Sequence, residues 1–439
     1  MCKVAMTLHL TPRLATMRKL CILSAMHRNS SRLALLIALL VYGALPFAAP
    51  PVFSKSNIAI DRAPSLQAVS AILMEAETGK VLFESHPDEP IAPASLTKLM
   101  TLHIALEQIA QGRLDPEQVI RPVRQAWARN MPYGSSLMFL GPNQQLTIEQ
   151  LLKGLVVASG NDAAYALAYQ IAGSVPAFAQ MMNDEAARFG YRVMHFVEPS
   201  GISAQNRVTA REYADFCRHF IALHPDALRD LLSLREFTYP QPVNLINGNH
   251  EHSITQQNRN VLLWKYAGAD GLKTGYIDES GYNMAVTAER DGMRLIAVVL
   301  GVRDGTHESG SRLRAQETEQ LLDYGFAKFT KLTLGYPKPA PVVVWKGRKQ
   351  HIEIAPDQEP VLVLPKEEVT DLKGVVEQKR EVVAPVQKGD TLGAVVYTVN
   401  GKEVGRFPLR ATEGVAEGGF FRKTFDSIQL FFRGLLGTE

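Results

Sequence analysis

Three short groups of residues in this chain have the types and spacing to do chemistry together: Ser95-Leu96-Thr97-Lys98, Ser159-Gly160-Asn161 and Lys273-Thr274-Gly275. A serine hydroxyl becomes a nucleophile only with a base in hydrogen-bond reach, and a lysine can be that base only if its pKa is lowered. Burial and a second nearby cation would lower it, and Lys273 is the candidate cation. Ser95 follows Pro93-Ala94 and opens a helical stretch, so Lys98 lies one turn on, along the same face. Ser159-Gly160-Asn161 falls between two helical stretches, where Gly160 lets the backbone bend and present two polar side chains to a cleft. Lys273-Thr274-Gly275 reads as strand; a cation and a hydroxyl there suit a substrate ending in a carboxylate, and Gly275 lets the substrate backbone pair closely. Each group alone also has a plain reading, as an N-cap, a helix-helix turn or a solvated edge strand. Their order and local context within one chain favour a single site.

The elements that must position these groups follow from periodicity. Two apolar runs between Ala68 and Glu84 flank Thr78-Gly79 and predict a hairpin. A helix is expected from Ser95 to Gln111, with Leu99, Leu102, Leu106 and Ile109 on one face. Thr147 and Gln150 have capping-box spacing ahead of a second helix, and another runs from about Asp162 to Ile171. After Trp264 the pattern turns to strands: Gly271 to Tyr276, Tyr282 to Ala288, and Arg294 to Val302 after a turn at Asp291-Gly292. A helix from about Leu313 to Phe329 closes this region. Past Pro337, short Val-rich runs (Val342 to Trp345, Val361 to Leu364) and a hairpin across Asn400-Gly401 predict a small all-β domain at 337–411. The last segment, 414–439, returns to helical spacing. The expected fold class is α/β: a helical cluster with an antiparallel sheet at 65–330, then the small all-β domain and a C-terminal amphipathic helix.

The 439 residues carry a formal charge of +3. Six of the 47 Lys and Arg (Lys3, Arg13, Arg18, Lys19, Arg28, Arg32) lie in the first 49 residues, which hold no acid; the remaining 41 face 44 acids, a balance of −3. No basic stripe is left for a nucleic-acid partner. Residues 33–45 are an uncharged apolar run of secretory-signal length, ended by Pro46, Pro50 and Pro51. Residues 1–49 are therefore expected to be a signal peptide cut near Ala49, with Met26 as an alternative start of translation; an uncleaved membrane anchor is the other reading. Removal of Cys2 and Cys21 would leave Cys217, whose helical surroundings predict a buried small hydrophobe.

The three groups, in this order, resemble the motif set of the active-site serine penicillin-recognising enzymes. The chain is similar in particular to the low-molecular-mass penicillin-binding proteins, the D-alanyl-D-alanine carboxypeptidases. The resemblance extends through Tyr133-Gly134-Ser135-Ser136-Leu137-Met138, Asn258-Arg259-Asn260 with Leu262-Leu263-Trp264, Asp270-Gly271-Leu272, Gly281-Tyr282-Asn283, the β-rich domain and the tail. It implies a β-lactamase/transpeptidase-like catalytic domain and a two-step acyl transfer on peptidoglycan stem peptides, with inhibition by β-lactam antibiotics and no cofactor. By the family's pattern Ser95 is the nucleophile, Lys98 the general base, Ser159 a proton relay, and Asn161 the residue that orients substrate and Lys98. Lys273 and Thr274 hold the terminal carboxylate, beside Gly275. The backbone N–H groups of Ser95 and Tyr276 form the oxyanion hole. The best-known members have histidine where Tyr276 stands, a departure that bears on deacylation. An arginine near the start of the last helix grips the carboxylate; counting back from Leu321-Leu322 gives Arg314, with Arg312 as rival.

Glu198 lies 39 residues after Ser159, where class A β-lactamases keep a deacylating glutamate. The E-x-x-L-N pattern is not reproduced, which favours a structural loop carboxylate. His250-Glu251-His252 lacks the spacing of H-E-x-x-H, and no metal is assigned. The competing functions are a β-lactamase or an endopeptidase of the same fold, and a non-catalytic peptidoglycan-binding envelope protein. From Phe420 onward, Phe421, Phe425, Ile428, Phe432 and Leu435 follow helical spacing, opposite Arg422, Asp426, Gln429 and Arg433. This predicts a helix that lies on the membrane surface and holds the exported protein at the periplasmic face of the cytoplasmic membrane.

Overall fold

The computed structural model describes residues 62–246 and 251–435. The expected signal peptide and His250 lie outside the described residues.

The predicted hairpin is β1 (Ser70–Glu75) paired antiparallel with β2 (Val81–Ser85). The three later runs form β3 (Ala269–Ile277), β4 (Gly281–Arg290) and β5 (Met293–Val302). All five make one antiparallel sheet in the order β2-β1-β5-β4-β3. The strand that carries Lys273 is thus an edge, open on one side to a substrate. Apolar runs such as Ala297 to Leu300 are fully buried because both sheet faces are covered.

On one face lies the helical cluster. A 3-10 turn (Ala94–Thr97) leads into α1 (Lys98–Ala110), followed by α2 (Ile148–Val156), α3 (Asn161–Ala172), α4 (Val175–Arg188) and α5 (Ala210–Leu223). Leu99 and Leu102 of α1 are buried, while Leu106 and Ile109 pack at the margin of the same core. The capping box closes as its spacing implies: Gln150 N donates to Thr147 Oγ1 at 3.2 Å and Thr147 N to Gln150 Oε1 at 3.1 Å. Cys217 is fully buried in α5, and burial pushes its thiol pKa well up.

On the other face lies α6 (His307–Lys328), which begins earlier than the apolar pattern indicates. Its first turn is polar, and its start is set by the Thr306 cap, whose Oγ1 accepts from Ser309 N at 3.2 Å. Apolar periodicity cannot mark a first turn that buries little.

The β-rich unit follows. Strands β6 (Phe329–Thr333) and β7 (Val342–Trp345) precede β8 (Val361–Pro365), which pairs with β6. The hairpin across Asn400-Gly401 joins β9 (Thr391–Val399) to β10 (Lys402–Ala411). The terminal helix α7 spans Phe420–Leu435. Before it, Val415 exchanges backbone hydrogen bonds with Val386, so this stretch belongs to the β-rich unit rather than to the helix.

Candidate active site

Ser95 sits in the 3-10 turn and Lys98 opens α1, so the tightened first turn brings the two side chains together. Lys98 Nζ lies 2.8 Å from Ser95 Oγ, 2.8 Å from Asn161 Oδ1 and 2.6 Å from the Ser200 carbonyl. Lys98 is fully buried. Burial, assisted by Arg259 and opposed by Glu198 and Asp162, lowers its pKa to about 7. Arg259 thus joins Lys273 as a cation near Lys98, with which Lys273 is mutually coupled. Lys273 is itself held well below the ordinary lysine range by burial and by Lys98.

Ser159 and Asn161 come from the link between α2 and α3. Here the backbone departs from expectation: Ser159 has the left-handed conformation (φ 56°), while Gly160 is extended (φ −60°). Gly160 is needed for room, since a Cβ there would lie 2.7 Å from Asp162 Oδ1. The Asp162 carboxylate accepts from Met138 N (2.9 Å), Phe139 N (2.9 Å), Leu140 N (3.0 Å) and Ala163 N (2.9 Å). Those bonds fix the loop that forms the outer wall of the groove. Ser159 Oγ then accepts from Lys273 Nζ at 2.9 Å.

Strand β3 passes directly beside the nucleophile. A Cβ on Gly275 would fall 2.8 Å from Pro93 O and 2.9 Å from Ser95 N. Glycine is required here so that the Ser95 amide and the next residue of the strand, Tyr276, can face one small space. Asn283 anchors the arrangement: its Nδ2 donates to Ala92 O at 2.9 Å and its Oδ1 accepts from Gly301 N at 2.8 Å. The Tyr276 ring stacks on Tyr282 (centroids 4.3 Å apart), and its hydroxyl donates to Asp278 at 2.6 Å.

Two connected cavities of about 520 Å³ each meet at Ser95. One runs past Tyr133 to Ser136 and Ile202; the other past Ser159, Arg259, Thr274 and Arg314. Arg314 is buried, donating to Gly275 O (2.9 Å), to Asn283 O (3.4 Å) and to Ser311 Oγ (3.1 Å). Burial, reinforced by Arg259, lowers its pKa to about 10. The rival Arg312 is exposed and pairs with Glu308 at 3.3 Å. Arg259 was not singled out by sequence reasoning. Its signal was the flanking asparagines: Asn260 Nδ2 donates to Gly271 O at 2.9 Å and Asn258 Oδ1 accepts from Asn260 N at 3.0 Å, forming a turn that delivers Arg259 to the groove.

Glu198 accepts from Ser200 N (2.7 Å), Ser200 Oγ (2.6 Å), Gly201 N (2.6 Å) and Asn206 Nδ2 (3.1 Å). It is a structural carboxylate that shapes the loop presenting the Ser200 carbonyl to Lys98.

The chain that carries this site is similar to known proteins. Residues 57–304 match the family model described as D-alanyl-D-alanine carboxypeptidase. The chain belongs to this family. Residues 334–417 match the model of the penicillin-binding protein 5 C-terminal domain. D-alanyl-D-alanine carboxypeptidase DacC of Escherichia coli (strain K12) is 33% identical over 397 residues, covering 89% of this chain and 94% of its own. DacA of Haemophilus influenzae is 34% identical, covering 85% and 91%. Among solved structures, penicillin binding protein 5 from Haemophilus influenzae superposes with a TM-score of 0.73 at 32% identity, covering 81% of this chain and 99% of its own. Penicillin-binding protein D2 from Listeria monocytogenes in its ampicillin-bound form matches with a TM-score of 0.51 at 29% identity, covering 60% and 100%. The chain is a serine-type D-Ala-D-Ala carboxypeptidase of the penicillin-binding kind.

Proposed function

We propose that Ser95 attacks the carbonyl between the two terminal D-alanines of a peptidoglycan stem peptide, with Lys98 as base. The observation that carries this is the Lys98 Nζ contact with Ser95 Oγ in a buried site that lowers the lysine to about 7. Once Lys98 has lost a proton, its lone pair takes the Ser95 hydroxyl proton as the C–O bond forms. The carbonyl oxygen gains charge between Ser95 N and Tyr276 N. Ser159 relays to the leaving amine the proton that Lys98 took from Ser95, which leaves Lys98 neutral again, D-alanine departs, and water then hydrolyses the ester. Asn161 holds Lys98 and the substrate amide. Thr274, Lys273 and the neighbouring Arg259 and Arg314 receive the terminal carboxylate. A β-lactam takes the same route as far as the acyl-enzyme. The β-lactamase alternative loses its candidate deacylating group, because Glu198 is occupied by its own loop. The test is intact mass with penicillin, then D-alanine release from a muropeptide pentapeptide. Absence of a single covalent adduct, or an adduct mapped to another serine, would overturn the assignment.

We further propose that the mature enzyme is held on the outer face of the cytoplasmic membrane. Among the described residues no helix is long and apolar enough to span a bilayer. The support is how α7 docks. Its polar side grips the β-rich unit: the buried Asp426 accepts from Lys346 N at 2.6 Å, and Arg433 pairs with Glu381 at 2.7 Å. Phe420, Phe421, Phe425, Ile428, Phe431 and Phe432 are left exposed. An apolar face turned outward while the polar face is held inward suits insertion into a lipid surface. Replacing Phe421, Phe425 and Phe432 together by Glu is expected to release the protein into the periplasmic fraction with penicillin labelling intact. Continued membrane association would shift the anchor to the N-terminal apolar segment.

A further inference from the structure

Further along α1 from Lys98, His103 and Glu107 meet His224, the residue that caps the C-terminal end of α5. His103 is completely buried among the rings of Phe189, Phe216 and Phe220. Behind it, Glu185 of α4 sits 2.6 Å from Nε2. A carboxylate can only accept, so Nε2 carries a proton, and in the neutral ring Nδ1 is the nitrogen left with a lone pair. That Nδ1 lies 2.8 Å from His224 Nε2, and His224 Nε2 lies 3.6 Å from Glu107 Oε1. All three ligand atoms fall within 4.8 Å of one another.

We infer that His103 Nδ1, His224 Nε2 and Glu107 Oε1 form a zinc-class divalent cation site, oriented by Glu185. Bonds of about 2.0–2.1 Å in a tetrahedron place ligand atoms about 3.3 Å apart. The observed 2.8 and 3.6 Å bracket that spacing, so small side-chain shifts suffice. Two imidazoles and one carboxylate select zinc and its late transition-metal neighbours over magnesium or calcium, which favour all-oxygen shells. Glu185 donating orientation through the far nitrogen is the arrangement that zinc-bound histidines use. The local charge agrees: Glu107 and Glu185 face the single guanidinium of Arg188, which bonds Glu185 at 2.9 Å. Glu107 and His224 are partly exposed, leaving the fourth position to water. The ion would tie the catalytic helix to the end of α5, away from the substrate groove.

The test is calorimetric titration of the chelator-treated full chain with zinc sulfate. One ion per chain is expected, with affinity weakened about 100-fold or more in His224→Gln and about 10–100-fold in Glu185→Gln. Penicillin labelling of each variant reports its fold; if His224→Gln fails to label, the more exposed Glu107→Gln carries the test. Absence of binding by the parent chain would overturn the site. So would zinc binding left within twofold by these substitutions, which would place the ion on surface histidines.

Discussion

The Ser200 carbonyl accepts from Lys98 Nζ at 2.6 Å, and this ties the catalytic base to a loop organised by Glu198. Gly201 in that loop has φ 83°, and a Cβ there would fall 1.7 Å from Ala94 O, immediately before the nucleophile. Glu198→Gln removes a charged acceptor from a set of buried donors, which costs about 1–3 kcal/mol. The expected outcome is a lowered melting temperature together with slower penicillin acylation. Acylation at the parent rate would show that the loop does not position Lys98.

Lys98 must be neutral to take the Ser95 proton. With its pKa lowered to about 7, the acylation rate should rise as pH increases through about 7 and level off above it. Stopped-flow acylation across the pH range checks this. Lys98→Ala should slow acylation by about 10²–10⁴-fold at neutral pH and abolish the inflection. A flat profile in the parent enzyme would exclude Lys98 as the titrating base.

Gly275→Ala introduces a methyl group 2.9 Å from Ser95 N. The strand must move, and misplacing one oxyanion donor costs about 10²–10³ in kcat. D-alanine release should therefore fall by that factor while the circular dichroism spectrum stays unchanged. Normal turnover would mean that the close passage of β3 is not required.

The carboxylate grip divides among the cations. Lys273→Ala and Arg259→Ala should raise KM for a pentapeptide, because Arg259 lines the groove and Lys273 lies buried beside it, bonded to Ser159 Oγ. Arg314→Ala should lower kcat as well, since its guanidinium holds the Gly275 carbonyl at 2.9 Å and so supports the oxyanion strand. Arg312→Ala should leave both constants near the parent values, its side chain being exposed on Glu308. A larger loss for Arg312→Ala than for Arg314→Ala would reverse the assignment.

The three motif groups, the hairpins and the amphipathic tail could be read from the sequence because each is local. Ser95 and Lys98 lie one turn apart on any helix that begins there, and a period-two strand must put Lys273 and Gly275 on one face. Asn400-Gly401 names its turn by its own backbone preferences. What the sequence could not show is which distant groups share the buried space. It did not reveal that Arg259 acts on Lys98, that Glu198 is used up by its own loop, or that the left-handed residue is Ser159 while Gly160 supplies room. Nor could it show that α7 turns its polar side inward. These depend on desolvation and on close approach between segments far apart in sequence, and neither quantity exists until the chain has packed. Residue type and spacing therefore determined the chemistry available to this protein, and tertiary structure decided which charges survive burial and which atoms touch.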